Sequence, residues 1–370
     1  MIKFSDLQNI NKAHLEELST AANEVIFSGR YLFGQRVKKF EQSLSEYIGT
    51  KYAVAVGNGL DALLLILVAY IEKGDFQKGD EVLVPANTYI ATILSIFHSG
   101  LIPVLVEPDF DSYNLDFEKA KEKVSAKTKA VILVHLYGKV CWSEEFNLWA
   151  QERGLKIIED NAQAVGAMWS DQKSGSLGDA AALSFFPTKN LGALGDAGAV
   201  TTNDAVLADI IGKLRNYGSG TKYFNEYKGF NSRMDELQAA FLQVKLKYID
   251  EENQVRRNLA QIYLQEINHP SVLLPKVEYA ISDLTHVWHL FVIRNKFRDK
   301  LKQYLHGKGI ETQIHYPIPT HHQKAFEEFR SLSLPITEKI HREVLSLPLD
   351  PSLSKSDIQF IAKKINTFKI

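Results

Sequence analysis

Lys189 stands in "SFFPTKNLGALGDAG", with Phe185, Phe186, Pro187 and Thr188 before it and Asn190, Leu191 and a run of glycines after it. Apolar neighbours desolvate an amine and disfavour its ammonium form, which turns a lysine into a nucleophile and a base. A second chemical group closes the apolar run "LKIIED", where Asp160 either caps the helix that follows or lies under a ligand and holds a proton on a heteroaromatic nitrogen. Gln163, three residues on, faces the same space if a helical turn follows. In "PANTYIAT", Tyr89 offers a flat face for a ring or packs at a rim, and Ser184 carries a hydroxyl suited to a phosphate or merely tolerated in a strand. In "VAVGNGLDALLL", Gly57 and Gly59 flank Asn58 where an apolar helix begins at about Leu60. Glycines there let the backbone bend closely, and free amides at a helix start attract an anion, although the stretch matches neither GxGxxG nor a P-loop.

Taken together, an amine, a carboxylate, a stacking face and a helix N-terminus suit a phosphorylated aromatic aldehyde, and pyridoxal phosphate (PLP) is that ligand. The aldehyde needs a lysine that is neutral part of the time, and a protonated pyridine nitrogen makes the ring an electron sink. Glycines after Lys189 leave it room to detach and act as a base.

These residues need a scaffold. Short runs rich in Val and Ile ("YAVAV", "EVLVP", "IPVLVE", "AVILVHLYG", "LKIIED", "AALSFF", "AGAVTTN") alternate with helix-like stretches from Lys51 onward. That pattern predicts an α/β fold: a seven-stranded, mostly parallel sheet with helices on both faces. Spans long enough for a crossover helix separate the first six runs, and only the lysine loop divides the last two, so the last strand is expected antiparallel. Ligands of such sheets bind beyond the carboxyl ends of the strands, where Asp160 and Lys189 fall. After Thr202 the stretch "MDELQAAFLQVKLKYIDEENQVRRNLAQIYLQEI" reads as a long helix. "VWHLFVIR" and "IETQIHYPIP" read as strands around a helix in "FRDKLKQYLHGKG", with a further helix near the C-terminus. The expected division is a large PLP-binding domain over 1–250 and a small C-terminal α+β domain over 251–370.

The 370 residues carry a formal net charge of -1, so no global field gathers nucleic acid or an anionic membrane. Cys141 is the single cysteine, which excludes an internal disulfide framework and points to a reducing cytoplasm. The start, "MIKFSDLQNI", does not read as a secretory signal, and the longest greasy run, "ALLLILVAYI", is far short of the roughly 20 residues that span a bilayer.

From "SGRYLFGQRVKKFEQSLSEYIG" through "GNGLDAL", "PANTYIAT", "HLYG", "IEDNAQAVGA", "SFFPTKNLGALGDAGAV", "LRNYGS" and "GFNSRMDELQAA" to "HYPIPTHHQKAF", the chain resembles the sugar aminotransferases of the DegT/DnrJ/EryC1/StrS family. These have the aspartate aminotransferase fold (fold type I). The resemblance implies that Lys189 forms the internal Schiff base, Asp160 pairs with the pyridinium, Gln163 lies close to the ring and Tyr89 stacks on it. It implies that Gly59, Leu60 and Ser184 hold the phosphate and that Asn231 reaches the phosphate of the other subunit, which makes a homodimer part of the site. Relatives with histidine in place of the lysine dehydrate sugars; this chain keeps its lysine.

The resemblance further implies a nucleotide-linked ketosugar as acceptor and L-glutamate as donor, in a ping-pong cycle. The lysine loop is similar to members that aminate carbon 3, which points to a dTDP-3-oxo-6-deoxyhexose and a dTDP-3-amino-3,6-dideoxyhexose product for lipopolysaccharide or glycoside biosynthesis. Substrate-contact candidates are Tyr31, Phe33, Arg215, Tyr217, Lys222, Arg233, His315 and Tyr316. The alternatives are a carbon-4 aminotransferase on a UDP- or dTDP-4-ketosugar and a non-catalytic protein that binds PLP or a nucleotide-sugar as a signal. "HYPIPTHHQ" gathers three histidines without an acid at ligand spacing, so no metal site is expected.

Overall fold

The computed structural model describes residues 1–277 and 283–369. Seven strands form one sheet in the order 52–56, 198–202, 180–184, 156–160, 128–134, 81–85, 102–106. The five strands from 180–184 to 102–106 pair parallel, and Gly198–Thr202 runs antiparallel to both Ala180–Ser184 and Tyr52–Val56. Both faces are covered, so the strands read as continuous apolar runs. One face carries helix Gly59–Lys73, buried along most of its length, and the other carries Gln35–Ile48. No helix among the described residues is long and apolar enough to cross a membrane.

The connection from Lys156–Asp160 to Ala180–Ser184 differs from the expected helical crossover. It is a loop with a small hairpin, Met168–Trp169 against Gln172–Lys173. Glu159 explains how so compact a loop is tied down: its buried carboxylate accepts from the amides of Gly175, Leu177 and Gly178.

The expected long helix is two helices, Glu236–Leu246 and Ile249–Glu266. The first buries Ala239 and Leu242 in the core beside helix Gln35–Ile48 and Ala240 against Leu18 and Ala21, and the second buries Leu259, Ala260 and Tyr263 in a different core. The apolar stripe changes partner at Lys247–Tyr248, and the axis breaks there.

That second core underlies a three-stranded antiparallel sheet, in the order Val272–Leu273, Phe291–Asn295, Val344–Leu347, with helices Arg298–Gly307 and Lys355–Asn366. Ile2 packs on it and bridges to Ile310. Strand Val344–Leu347 was not read from sequence. Only the second half of "VWHLFVIR" is strand: Trp288 has a left-handed φ of 50°, and Val287 and Leu290 donate to the carbonyls of Gly138 and Tyr137. "IETQIHYPIP" is not a strand either. Its pairing is confined to the bridges of Ile310 and Gln313, and Pro317 and Pro319 offer no amide to a ladder.

Candidate active site

Asp160 ends its strand buried, with Thr92 Oγ1 donating to Oδ2 at 2.8 Å and the Ala162 amide donating to Oδ1 at 3.2 Å. Thr88 and Thr92 share a 2.8 Å hydrogen bond, so the start of helix Ile90–Ser99 supports the carboxylate. Burial raises the Asp160 pKa above the usual carboxylate range, opposed by Thr92, the Ala162 amide, Lys189 and His135.

Lys189 sits in a turn closed by its amide donating to Phe186 O at 2.8 Å. The residue as a whole is half-buried, yet its amine lies in surroundings dense enough that desolvation pulls its pKa down to about 8, with Asp160 acting in the opposite sense. Both shifts favour the uncharged forms. Charges placed between the two groups are therefore felt strongly.

Ser184 meets the start of helix Gly59–Lys73. A Cβ at residue 59 would lie 2.6 Å from Ser184 Cβ and 3.1 Å from its Oγ, so only glycine fits. Asn58 caps that helix by accepting from the Asp61 amide at 2.8 Å. This leaves the first-turn amides of Gly59 and Leu60 without an intrahelical acceptor, next to a hydroxyl. The opposite wall is as close, since a Cβ at residue 198 would lie 2.4 Å from Asn58 O. A phosphate fits such a cradle by charge and by donor count.

Gln163 is fixed at both ends. Its Oε1 accepts from the Tyr137 amide at 2.7 Å, and its Nε2 donates to the Tyr316 hydroxyl at 3.2 Å. Tyr89, half exposed, faces Tyr316 at 5.1 Å between ring centroids. Tyr137 OH donates to His315 O, and His315 Nδ1 bonds Ser346 Oγ at 2.8 Å. Burial and Lys189 push the His315 pKa down to about 4.

The remaining candidates belong to a second group of contacts, joined to the cradle through Ser232 Oγ, which accepts from the Gly57 amide at 3.0 Å. Tyr31 and Phe33 belong to a loop held by Glu236, whose carboxylate accepts from the amides of Gly34, Arg36 and Val37. Arg215 lies 5.5 Å from the Phe33 ring, and Arg233 lies 5.4 Å from the Tyr217 ring. Asn231, Tyr217 and Lys222 are exposed. Among the described residues, no hydrogen bond or ring contact within the chain links this group directly to Lys189 or Asp160.

Arg215 departs from its expected role, because Nη1 is engaged by Glu41 Oε1 at 2.5 Å and by Ala55 O at 2.6 Å. Its guanidinium ties helix Gln35–Ile48 to strand Tyr52–Val56.

Sequence spacing overlooked Thr88, Thr92, Tyr137, Asn190 and His289. The threonines stand at i and i+4 in the quoted "PANTYIAT", which was the available signal. It also overlooked Glu338, which comes from helix Pro335–Glu343 to lie 3.5 Å from His321 Nε2 and 4.0 Å from His322 Nε2. An acid thus does reach the histidines of "HYPIPTHHQ", in a group whose possible ligand atoms lie within 4.8 Å of one another. Arg342 Nη1 lies 3.6 Å from the other oxygen of Glu338. A cavity of about 800 Å³, lined by Asp116, Trp142, Trp169, Gln261 and Trp288 among others, lies apart and includes none of the candidate residues.

The profile of the DegT/DnrJ/EryC1/StrS aminotransferase family matches residues 12–366. The chain is 51% identical over 368 residues to the dTDP-3-amino-3,6-dideoxy-alpha-D-galactopyranose transaminase of Aneurinibacillus thermoaerophilus, covering 100% of this chain and 99% of that protein. Among solved structures, S. venezuelae DesV in complex with a ketimine intermediate superposes with a TM-score of 0.93 at 40% identity, covering 99% of this chain and 97% of DesV. Bacillus subtilis NtdA with bound cofactor PMP superposes with a TM-score of 0.89 at 31% identity, covering 99% and 85%. A buried amine and acid, a helix start beside a hydroxyl and a match along nearly the whole chain agree: the protein belongs to the DegT/DnrJ/EryC1/StrS family of PLP-dependent aminotransferases.

Proposed function

We propose that this aminotransferase moves the amino group of L-glutamate to carbon 3 of a dTDP-3-oxo-6-deoxyhexose. The product is a dTDP-3-amino-3,6-dideoxyhexose, made in the cytoplasm for lipopolysaccharide or another glycoside. The name of the 51% identical relative supports the carbon, the nucleotide and the galactose configuration. The observation that carries the reading is the Lys189–Asp160 pair, one amine and one acid each pushed toward neutrality in the same pocket.

The residues present fit PLP. Gly59 and Leu60 amides and the Ser184 hydroxyl would hold its phosphate, Asp160 the proton of its ring nitrogen, Tyr89 one face and Gln163 the neighbourhood of the ring. When bound, PLP supplies the electron sink that makes the amino-acid Cα–H acidic. Lys189, neutral for part of the time near pH 8, would take up that proton at Nζ and deliver one to the aldehyde carbon of the bound cofactor. Asp160, raised by burial, would be drawn toward its carboxylate form by a protonated ring nitrogen placed beside it. Phe185, Leu191 and Ala193, which flank the lysine in the chain, are buried in an apolar core and fix the loop that carries it.

The exposed edge is where a homodimer would complete the site. Exposed Tyr31, Phe33 and Tyr217 make an aromatic surface, with Lys222 and Arg233 as cations for the nucleotide diphosphate. There Asn231 would reach the phosphate held by the other subunit.

The test is incubation with glutamate and a panel of dTDP- and UDP-linked 3- and 4-ketosugars, with products assigned by mass spectrometry and NMR. An amine on carbon 3 of a dTDP-sugar is expected. An amine on carbon 4, or preference for UDP, would overturn the substrate assignment. PLP binding without turnover of any ketosugar would favour the signalling alternative.

A further inference from the structure

His321, His322 and Glu338 are used by none of the roles above, and two separate elements bring them together. The histidines stand in the short 3-10 turn Thr320–His322, and Glu338 stands in the first turn of helix Pro335–Glu343, 17 positions beyond His321. The start of that helix is pinned by Glu107, whose carboxylate accepts from the Ile336 and Thr337 amides at 2.8 Å and from Thr337 Oγ1 at 2.5 Å. Phe326 and Phe329, between the turn and the helix in the chain, both pack on Phe97.

Glu338 Oε1 faces both imidazoles, 3.5 Å from His321 Nε2 and 4.0 Å from His322 Nε2. Ligands at about 2.0–2.1 Å from a tetrahedral zinc ion stand roughly 3.3 Å from one another. The Glu338–His321 spacing is already close to that, and His322 has to swing inward. The His322 side chain is 46% exposed, which leaves it room to turn and leaves a further coordination position open to water. His321 is the opposite case. Its side chain is fully buried, its Nδ1 has no hydrogen-bond partner, and its Nε2 reaches Glu338 only at the limit of a hydrogen bond. A buried imidazole so poorly satisfied calls for another partner.

The donor set also selects the partner. Burial and His322 hold His321 in the neutral form that a metal requires. Arg342 Nη1, 3.6 Å from Glu338 Oε2, engages the oxygen that points away from the rings and so helps to orient Oε1. Glu107 adds a second carboxylate to the field at His321. Two imidazoles and one carboxylate suit zinc and its neighbours, whereas magnesium and calcium favour shells of oxygen alone.

We propose that His321 Nε2, His322 Nε2 and Glu338 Oε1 form a structural site for one divalent transition-metal ion, zinc fitting best, with water completing the shell. The ion ties the turn Thr320–His322 to helix Pro335–Glu343. His341 on that helix is hydrogen-bonded to the backbone of Tyr316, whose ring faces Tyr89, so the tie braces a neighbour of the candidate pocket. No step of the amino transfer passes through the ion, and the reading of Lys189 does not bear on it.

The experiment titrates PLP-loaded enzyme, first stripped with EDTA and dialysed, with Zn2+ against a chromogenic chelator at neutral pH. Wild type should take up one zinc per chain. Glu338→Gln keeps an acceptor for the Leu334 amide and removes the charge, and His322→Ala removes a half-exposed ligand; each should weaken binding about tenfold or more. If Glu338→Gln does not fold, His322→Ala carries the test. His306→Ala, at an exposed histidine elsewhere, should leave binding unchanged. Co2+ in place of zinc should give visible ligand-field bands that His322→Ala abolishes. No stoichiometric zinc in wild type, zinc binding that survives the substitutions, or Mg2+ binding as tight as Zn2+ would overturn the proposal.

Discussion

The pocket around Lys189 and the edge around Tyr217 are built in opposite ways. In the pocket nearly every polar group is committed: Asp160 to Thr92 and an amide, Gln163 to Tyr137 and Tyr316, Asn190 to Asn253, Val287 and His289. Buried networks with all partners present hold one geometry, because each lost bond leaves an unsatisfied group. On the edge, Tyr31, Tyr217 and Lys222 are exposed, and Arg233 makes a 3.3 Å bond to Asn216 and lies over the Tyr217 ring. The pocket is fixed by the chain alone, and the surface around Tyr217 is left without such a network.

That contrast can be broken at its stronger end first. Asp160→Asn keeps the shape of the acid and removes its charge, so PLP should still bind while turnover falls on the order of 100- to 1000-fold. Steady-state kinetics alongside the visible spectrum would check both halves. Gly59→Ala drives a methyl to within 2.6 Å of Ser184 Cβ, and the cradle must open. Overpacking of that kind should weaken PLP retention about tenfold or more, read by dialysis and re-titration.

Arg215→Ala sharpens the comparison by moving one residue from the edge to the scaffold. It removes the partner of Glu41 and Ala55 O, so it should cost about 1–3 kcal/mol in denaturant unfolding and leave the Lys189 adduct intact. A change confined to KM for the nucleotide-sugar would instead return Arg215 to the substrate.

Asp160 stands out in the sequence as a charge closing an apolar strand, and Lys189 as an amine set among apolar residues in the loop after one, arrangements that are costly unless they are used. The parallel sheet was legible for a related reason, since strands buried on both faces cannot alternate. What stayed hidden was set by distant partners. Glu41 is 174 positions from Arg215, and nothing near either residue announces the pair. The break at Lys247–Tyr248 left no mark because both helices keep the same 3.6-residue rhythm while facing different cores. His289 looked like one more residue of a strand, and its hydrogen-bond partner is a carboxamide 99 positions away.

The central claim is that burial makes Lys189 the amine that takes the PLP aldehyde. An ammonium cannot attack, so capture rises with pH through the amine's pKa and then levels. Borohydride trapping of PLP-treated apoenzyme across pH, followed by peptide mapping, should place the adduct on Lys189, with capture half-maximal near pH 8 rather than near the ordinary lysine value of about 10.4. An adduct on another lysine, or a Lys189 midpoint at the ordinary value, would contradict the account.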